Sequence, residues 1–262
     1  MKTALSIAGS DCIGGAGIQA DLKTFSAIGV YGMSVITSVV AENTVKVVSY
    51  QDIEINIIKQ QIDAVFEDIV PNAIKIGMLS NPNIINTVSE KLQQYSPRNI
   101  VIDPVMYAKN GAALMQQGAI NNLISLIVPL ADIITPNIPE AQEMTNIIID
   151  TKQGMRDAAY TIHKMGCKAV VVKGGHYQSS GDTSTDILYD GHKFYEYDLP
   201  RIKTNHTHGT GCTFSSAIAA FLAKDIPINI AVEKAKLYVN KAIQNSPNLG
   251  RGYGPINHFY EL

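Results

Sequence analysis

Short apolar runs alternate with segments of helical periodicity along almost the whole chain, and this alternation constrains the fold more than any other feature. The apolar runs are rich in Val and Ile and have the length of strands, whereas the segments between them repeat apolar residues at helical spacing. The predicted strands are 3–8, 31–40, 47–53, 73–79, 100–105, 133–135 and 169–172. The predicted helices are 18–28, 55–69, 83–94, 118–130, 139–145, 153–165, 213–223 and 229–244.

This alternation predicts a single α/β domain over residues 1–262, with helices on both faces of a mostly parallel sheet. A hairpin signal interrupts it, because 186–189 and 193–198 flank the turn pair Asp190-Gly191. A small antiparallel hairpin is therefore expected beside the parallel strands. Neither a linker nor a low-complexity segment divides the sequence, and 46% of its residues are apolar, enough for a sizeable core.

Polar segments follow the predicted strands at five places, which are 9–17, 41–44, 103–111, 136–140 and 173–176. In an open parallel sheet, ligands bind outside the carboxyl ends of the strands. The convergence of these segments predicts a single ligand site along that edge, and it is stronger evidence for a site than any one motif.

A polar, glycine-punctuated stretch, 206–211, runs directly into the small apolar residues of the helix predicted at 213–223. The first backbone N–H groups of a helix have no helical acceptor, and together with the helix dipole they attract anions. Gly209, Thr210 and Gly211 are therefore predicted to bind an anion. Cys212 lies in the first turn, where the same field favours the thiolate and makes it a candidate base or nucleophile. The alternative is a glycine turn that leads into a packed helix with a structural cysteine.

The segment 15–20, Gly-Ala-Gly-Ile-Gln-Ala, matches a loose dinucleotide-binding pattern between a strand and a helix. Asp11 before it and Asp21 after it would repel a pyrophosphate. A floor for a small polar ring is therefore favoured, with Asp21 as a hydrogen-bond acceptor. Glu42, at the end of the next strand, can pair with an amino group or ring N–H of a ligand. The alternatives are a tight turn capped by Asp11 and, for Glu42, a solvated strand end.

Three further strand ends carry residues suited to phosphate and Mg²⁺. Asp103 can hold Mg²⁺ through water, and Lys109 can contact a phosphate unless it is an ordinary surface lysine. Asn137 and Glu140 suit an oxygen site for Mg²⁺ that carries nucleotide phosphates, although an N-cap with a capping-box Glu is the commoner meaning of this spacing. Lys173 can contact a nucleotide phosphate.

Charge and cysteine content exclude several classes of protein. The net charge is −2 and no long basic run occurs, which argues against nucleic acid or an anionic membrane as a partner. The three cysteines are widely spaced, so neither a disulfide framework nor a CxxC metal site is expected, and a cytoplasmic location is predicted. His206 and His208 are close together but no third ligand at suitable spacing supports zinc.

Several of these motifs together resemble one family, the hydroxymethylpyrimidine/phosphomethylpyrimidine kinases, in order and over essentially the whole chain. The motifs that carry the resemblance are 9–11, 14–25, 31–34, 41–44, 75–79, 103–106, 173–176, 208–213 and 254–260. The resemblance implies a ribokinase-like, three-layer α/β/α fold. It also implies a homodimer that uses ATP with Mg²⁺ to phosphorylate 4-amino-5-hydroxymethyl-2-methylpyrimidine and then its monophosphate, in thiamine biosynthesis.

The resemblance also implies roles for the residues that match the family motifs. The residues that would line the pyrimidine site are Gly9, Asp21, Glu42 and Met78. The anion hole for the transferring phosphoryl group would be formed by Gly209, Thr210, Gly211 and Cys212. Asn137 and Glu140 would organise Mg²⁺, and Lys173 would contact ATP. Lys109, on a loop that Gly111 allows to move, is predicted to matter most when the acceptor is the monophosphate.

The sequence departs from the family pattern around the pyrimidine site. Cys12-Ile13 replaces the usual Pro-Ser, Glu42 stands where Gln is more frequent, and Tyr107 and Asn110 alter the usual flap. Close relatives phosphorylate pyridoxal or pyridoxine, so a pyridoxal kinase is one alternative. Two others are a cysteine hydrolase that pairs Cys212 with His208 and a pyrimidine-binding protein without turnover. The hydrolase lacks a third orienting residue, and acyl chemistry does not explain the other strand-end motifs.

Overall fold

The computed structural model describes residues 1–108, 111–116, 118–176 and 181–261. Its strands are β1 (Thr3–Asp11), β2 (Tyr31–Glu42), β3 (Val47–Asp52), β4 (Ala73–Ile76), β5 (Ile100–Ile102), β6 (Ile133–Ile134), β7 (Val170–Lys173), β8 (Thr183–Tyr189) and β9 (Phe194–Pro200). Its α-helices are α1 (Gly17–Ala27), α2 (Ile55–Phe66), α3 (Pro82–Tyr95), α4 (Ala119–Asn122), α5 (Ile138–Thr145), α6 (Lys152–His163), α7 (Thr210–Ala223) and α8 (Ile228–Gln244).

The described strands form one sheet in the order β3-β2-β1-β4-β5-β6-β7-β8-β9. The strands from β2 to β7 in this order run parallel to their neighbours. At one edge β3 pairs antiparallel with β2, and at the other the β8–β9 hairpin pairs antiparallel with β7. The predicted parallel sheet and its hairpin are confirmed, and the antiparallel direction of β3 is an addition to the prediction.

Both faces of the sheet are buried, which explains the nearly continuous apolar strands. Side chains alternate between the faces: in β5, Ile100 and Ile102 join one core cluster while Val101 joins the other. The first cluster packs the sheet against α2–α6, and the second packs it against α1, α7 and α8. The result is the three-layer α/β/α arrangement that the sequence predicts.

The helix predicted at 118–130 has a more complex form in the structure. A single turn of α-helix, α4, continues as a π-helix over Leu123–Ile127 and then as a 3-10 helix over Val128–Leu130. Pro129 has no N–H group to donate, so a regular α-helix cannot be maintained through this end. None of the described helices combines the length and the apolar character needed to cross a membrane.

Two glycine loops contact each other above the sheet, one between β1 and α1 and the other before α7. Gly209, the N-cap of α7, has a φ of 76°, a left-handed conformation that favours glycine. A Cβ atom on Gly209 would lie 1.7 Å from the carbonyl oxygen of Gly15. The start of α7 is therefore fixed against the first loop by a contact that only glycine allows.

We predict that Gly209→Ala lowers the free energy of unfolding far more than a glycine substitution that only strains the backbone. Gly118→Ala is the matched control, because Gly118 has a φ of 86° but, apart from its chain neighbours, no described residue has an atom within 4 Å of its Cβ position. The control should cost about 1 kcal/mol, and Gly209→Ala about 2–4 kcal/mol because it adds a backbone clash. Urea unfolding of both variants measures the difference, and equal losses would contradict this packing.

Candidate active site

One cleft of about 580 Å³ lies along the carboxyl ends of the parallel strands, as the sequence predicts. The predicted site residues that line it are Gly9, Glu42, Met78, Asp103, Asn137, Glu140, Lys173, Gly209, Thr210, Gly211 and Cys212. Asp21 is not among its lining residues. Lys109 lies outside the described residues, and so its predicted role is not tested by the structure.

The predicted anion loop leads into α7 at the centre of the cleft. α7 begins at Thr210, and among the described residues no side chain caps it. Its first-turn N–H groups therefore have no helical acceptor and can bind an anion. A Cβ atom on Gly211 would lie 3.5 Å from both the Lys173 Nζ atom and an Asp103 oxygen. The anion loop thus faces the ionic groups of the neighbouring strand ends.

The surroundings of Cys212 oppose ionisation of its thiol, whereas the helix field considered from the sequence favours it. Burial is the main cause that raises the pKa of Cys212 to about 12; Lys75 opposes it, and the carboxylates of Asp21 and Asp103 add to it. The expectation considered only the field of the helix. Loss of hydration and the two acidic neighbours, which the sequence does not place, outweigh that field.

Asp21, predicted to contact the substrate, is fully buried and is not among the residues that line the cleft. Its side chain is fully buried, and Lys75 Nζ lies 3.0 and 2.8 Å from its two carboxylate oxygens. Ser6 and Ser216 donate further hydrogen bonds to the carboxylate, at 2.5 and 2.6 Å. These donors occupy both oxygens, and the predicted contact between Asp21 and the ligand stays a prediction. Asp21 supports the floor and neutralises Lys75.

Asp103, Glu140 and Lys173 form a charged cluster beside the anion loop. Lys173 Nζ lies 2.9 Å from Asp103 Oδ1. Burial raises the pKa of Glu140 to about 7, with Lys173 lowering it and Asp103 raising it. Asn137 and Glu140 also make the full capping box of α5, with distances of 2.8 and 2.9 Å. The capping alternative is therefore confirmed, and it fixes Glu140 at the wall of the cleft.

A second acidic cluster lies at the other side of the first loop. Asp11 Oδ2 lies 2.9 Å from Nε2 of His208, and one ligand atom each of Asp11, Glu42 and His208 lie within 4.8 Å of one another. Burial raises the pKa of Glu42 to about 7, Asp11 raises it too, and His208 lowers it. Met78 packs nearby, since a Cβ atom on Gly9 would lie 3.1 Å from its sulfur. This part of the cleft therefore combines a titrating acid with an apolar wall.

The far end of the cleft contains a buried ion pair that sequence reasoning missed. Lys236 of α8 lies 2.8 Å from Asp186 of β8, and Asp186 also accepts a 2.8 Å hydrogen bond from the Gly174 N–H. The apolar wall around this pair includes Leu199, Ile202, Phe214, Val239 and Ile243. The available signal was a lysine on the otherwise apolar face of α8, between Val232 and Val239.

Comparison with known proteins places this geometry in a family. The family model described as phosphomethylpyrimidine kinase matches residues 11–257. A hydroxymethylpyrimidine/phosphomethylpyrimidine kinase of Staphylococcus aureus strain MRSA252 is 45% identical over 262 residues, covering 100% of this chain and 95% of the relative.

Two solved structures extend the similarity to three dimensions. The phosphomethylpyrimidine kinase of Clostridium difficile 630 is 48% identical with a TM-score of 0.83, covering 93% of this chain and 100% of the other. An ADP complex of Bacillus subtilis pyridoxal kinase is 37% identical with a TM-score of 0.92, covering 98% and 97%. Sequence, fold and strand-end cleft agree, and this chain belongs to the phosphomethylpyrimidine kinase family, with its ribokinase-like fold.

Proposed function

We propose that this protein transfers the γ-phosphoryl group of ATP to 4-amino-5-hydroxymethyl-2-methylpyrimidine and then to the resulting monophosphate. The observation that carries the proposal is the position of the anion loop, between the Asp103–Lys173 pair on one side and the Glu42 cluster on the other. Phosphoryl transfer depends on alignment and on neutralising charge on the equatorial oxygens. A central anion site with a polar ring site beside it meets both needs.

The nucleotide is assigned to the end of the cleft that contains Asp186, Lys236 and the apolar side chains of β9 and α8. Asp186 is paired with Lys173 across β7 and β8, and Lys173 Nζ lies 3.5 Å from the Cβ position of Gly211, so this end adjoins the anion loop through Lys173. The ADP complex of the related pyridoxal kinase supports an adenine nucleotide as a ligand of this fold. The Gly211 and Cys212 amides would then hold oxygens of the transferring group.

Asp103 and Glu140 fit Mg²⁺, because both are carboxylates, which are hard oxygen ligands, and both line the cleft beside the anion loop. Lys173 already occupies one Asp103 oxygen, and the Asn137 N–H occupies one Glu140 oxygen, so coordination mainly through water is expected. The ion would neutralise phosphate charge when bound. Asn137 contributes by fixing Glu140 through the capping box.

Cys212 is proposed to accept the proton of the hydroxymethyl group in the first transfer. Its Sγ atom receives a hydrogen bond from the Gly17 N–H and lies close enough to Lys75 for that cation to lower its pKa. Because Cys212 is a thiol in the free protein, its proton has to leave before it can act as a base. The monophosphate acceptor is already ionised, so the second transfer needs no such base.

One assay tests the function directly. ADP release with Mg-ATP is followed for the hydroxymethylpyrimidine, its monophosphate and pyridoxal, and the products are identified by mass. The pyridoxal arm is included because a solved pyridoxal kinase is 37% identical to this chain. Mono- and diphosphate products of the pyrimidine would support the proposal. Turnover of pyridoxal alone would contradict it, and tight pyrimidine binding without ADP release would indicate a binding protein.

We predict that Cys212→Ala reduces turnover of the hydroxymethylpyrimidine by roughly 10²- to 10⁴-fold, the scale of general-base loss. Transfer to the monophosphate should fall much less. In the parent protein the first rate should rise with pH through the neutral range, because a pKa of about 12 leaves the thiolate scarce there and increasing with pH.

Cys167→Ala is the control, because Cys167 is buried in the core away from the cleft. Both variants are compared after thermal melting has confirmed that they fold. A folded Cys212→Ala protein that phosphorylates the alcohol at the parental rate would show that the thiol only packs.

We also propose that the protein is a cytoplasmic homodimer that associates through the β3 edge of the sheet. Val39 of β2 and Val48 of β3 are 48% and 65% exposed there. Exposed apolar residues at a sheet edge mark an interaction surface. The three cysteines are free, which suits a reducing compartment.

We predict that Val48→Glu dissociates this dimer. Val70→Glu is the matched control, since Val70 is also 65% exposed but lies after α2. Light scattering coupled to size-exclusion chromatography should give a monomer mass for the first variant and a dimer mass for the second. Two dimers would exclude Val48 from the interface, and a monomeric parent protein would overturn the dimer.

A further inference from the structure

The acidic cluster beside the first loop has an unequal division of hydrogen-bond donors between its two carboxyl groups. Asp11 Oδ1 accepts from the Ile13 N–H at 2.9 Å. Asp11 Oδ2 accepts from the N–H groups of Gly15 and Ala16 at 2.9 and 2.8 Å, and it lies 2.9 Å from His208 Nε2. Three backbone N–H groups and His208 all contact Asp11, which has to act as an acceptor for the three N–H groups. Asp11 is therefore the ionised member of the cluster.

The pKa of Asp11 agrees with this hydrogen-bond geometry. Burial opposes ionisation of Asp11, but the hydrogen bonds from His208, Ala16 and Ile13 together lower its pKa below the ordinary value. His208 Nε2 must carry the hydrogen in this contact, because the ionised Asp11 carboxylate can only accept. The protein thus holds one negative charge firmly at the end of β1.

The negative charge of Asp11 favours the protonated form of Glu42. β1 and β2 are parallel neighbours, and Asp11 is paired with Val40, two residues before Glu42. A carboxylate oxygen of each lies within 4.8 Å of the other, and a hydrogen bond to Asp11 raises the pKa of Glu42. Two charges so close in a partly desolvated cleft repel each other, so the carboxyl with fewer donors keeps its proton and shares it with Asp11 until a ligand binds. The groups that face Glu42 are Asp11 of β1, His208 before α7 and the Cys12 thiol, which contacts the Glu42 backbone. Among these described neighbours only His208 opposes the protonation of Glu42.

We propose that Glu42 binds the pyrimidine as a neutral carboxylic acid, donating its hydrogen to a ring nitrogen while its carbonyl oxygen accepts from the adjacent amino group. This inference rests on the proposed function, since it takes an aminopyrimidine as the ligand. An ionised Glu42 would direct a lone pair at the lone pair of the ring nitrogen and would lose one of the two hydrogen bonds. The complex therefore contains one proton between the acid and the ring.

This arrangement makes Glu42 a residue that determines specificity. A neutral acid is complementary to an acceptor nitrogen beside an amino donor, the edge that the aminopyrimidine carries. Pyridoxal has no amino group on its ring and cannot form the same pair. A site that has buried hydrogen-bonding groups rejects a ligand that leaves them unpaired, and the discrimination is large.

The test measures the proton directly by calorimetry, with the pyrimidine as titrant, without ATP, in buffers of different ionisation enthalpy. With a pKa of about 7, Glu42 is about nine-tenths ionised at pH 8. Binding should therefore take up about 0.9 proton at pH 8 and about 0.1 at pH 6. Above pH 8 the dissociation constant should rise about tenfold per pH unit.

Glu42→Gln is the matched variant, because its amide presents the same donor and acceptor without titrating. It should bind the pyrimidine with proton uptake near zero and with an affinity that does not change between pH 7 and 9. Equal proton uptake by both proteins would assign the proton to the ligand or to His208 and overturn the inference. A folded Glu42→Gln protein that no longer binds the pyrimidine would overturn the paired hydrogen bonds.

The test also separates this inference from the proposed function. If both proteins bind the pyrimidine without proton uptake, only the role of Glu42 is wrong and the kinase proposal stands. If neither binds it at pH 6 while both bind pyridoxal, the proposed substrate is wrong, and the inference fails with it.

Discussion

The ion pair between Lys75 and Asp21 joins the sheet to the helix layer that carries the anion loop. Lys75 belongs to β4 at the centre of the sheet, and Asp21 belongs to α1. Ser6 of β1 and Ser216 of α7 donate to the same carboxylate. A fully buried pair of this kind is costly to break, about 3–5 kcal/mol when one partner is removed, because the other charge is left without compensation. Hydrogen bonds to a single carboxylate therefore fix the relative positions of two strands and two helices.

The same pair sets the electrostatics of the cleft floor. Ser216 follows Cys212 by one helical turn, so the pair lies under the first turn of α7. Two charges that cancel there leave the thiol with little net field from below, and burial then dominates its pKa. The anion site above is left to the backbone amides, which carry no side-chain charge that could move or titrate.

The two sides of the cleft repeat one electrostatic arrangement. On one side Asp11 is held ionised beside Glu42, and on the other Asp103 pairs with Lys173 beside Glu140. In each case burial and the neighbouring aspartate raise the pKa of the glutamate to about 7. The glutamates can therefore change charge near neutral pH. Such titrating groups cluster at functional sites more than elsewhere.

Sequence reasoning found the layers and most of the cleft because both depend on local patterns. Strand and helix periodicity predicted the alternating order of strands and helices. The polar residues after the strands predicted that the cleft lies along the carboxyl ends of the strands. It did not predict the buried ion pair of Asp21, because the sequence does not show that Lys75 and two serines from distant segments meet at that carboxylate. It missed Asp186 and Lys236 for the same reason, since they lie 50 residues apart along the chain. Burial and partners across the chain, not residue type, decide these roles.

The raised pKa values also imply that the site costs the fold some stability. A carboxyl whose pKa is higher in the folded state than in the unfolded state destabilises the fold as the pH rises above its unfolded value. For Glu42 and Glu140 this window runs from about 4.5 to about 7, and the full cost is reached above it. A ligand that binds the protonated form of Glu42 therefore binds best below this pKa, where the proton is already in place, and loses affinity as the pH rises above it. The two apolar cores on either side of the sheet allow the fold to tolerate the cost of both buried glutamates.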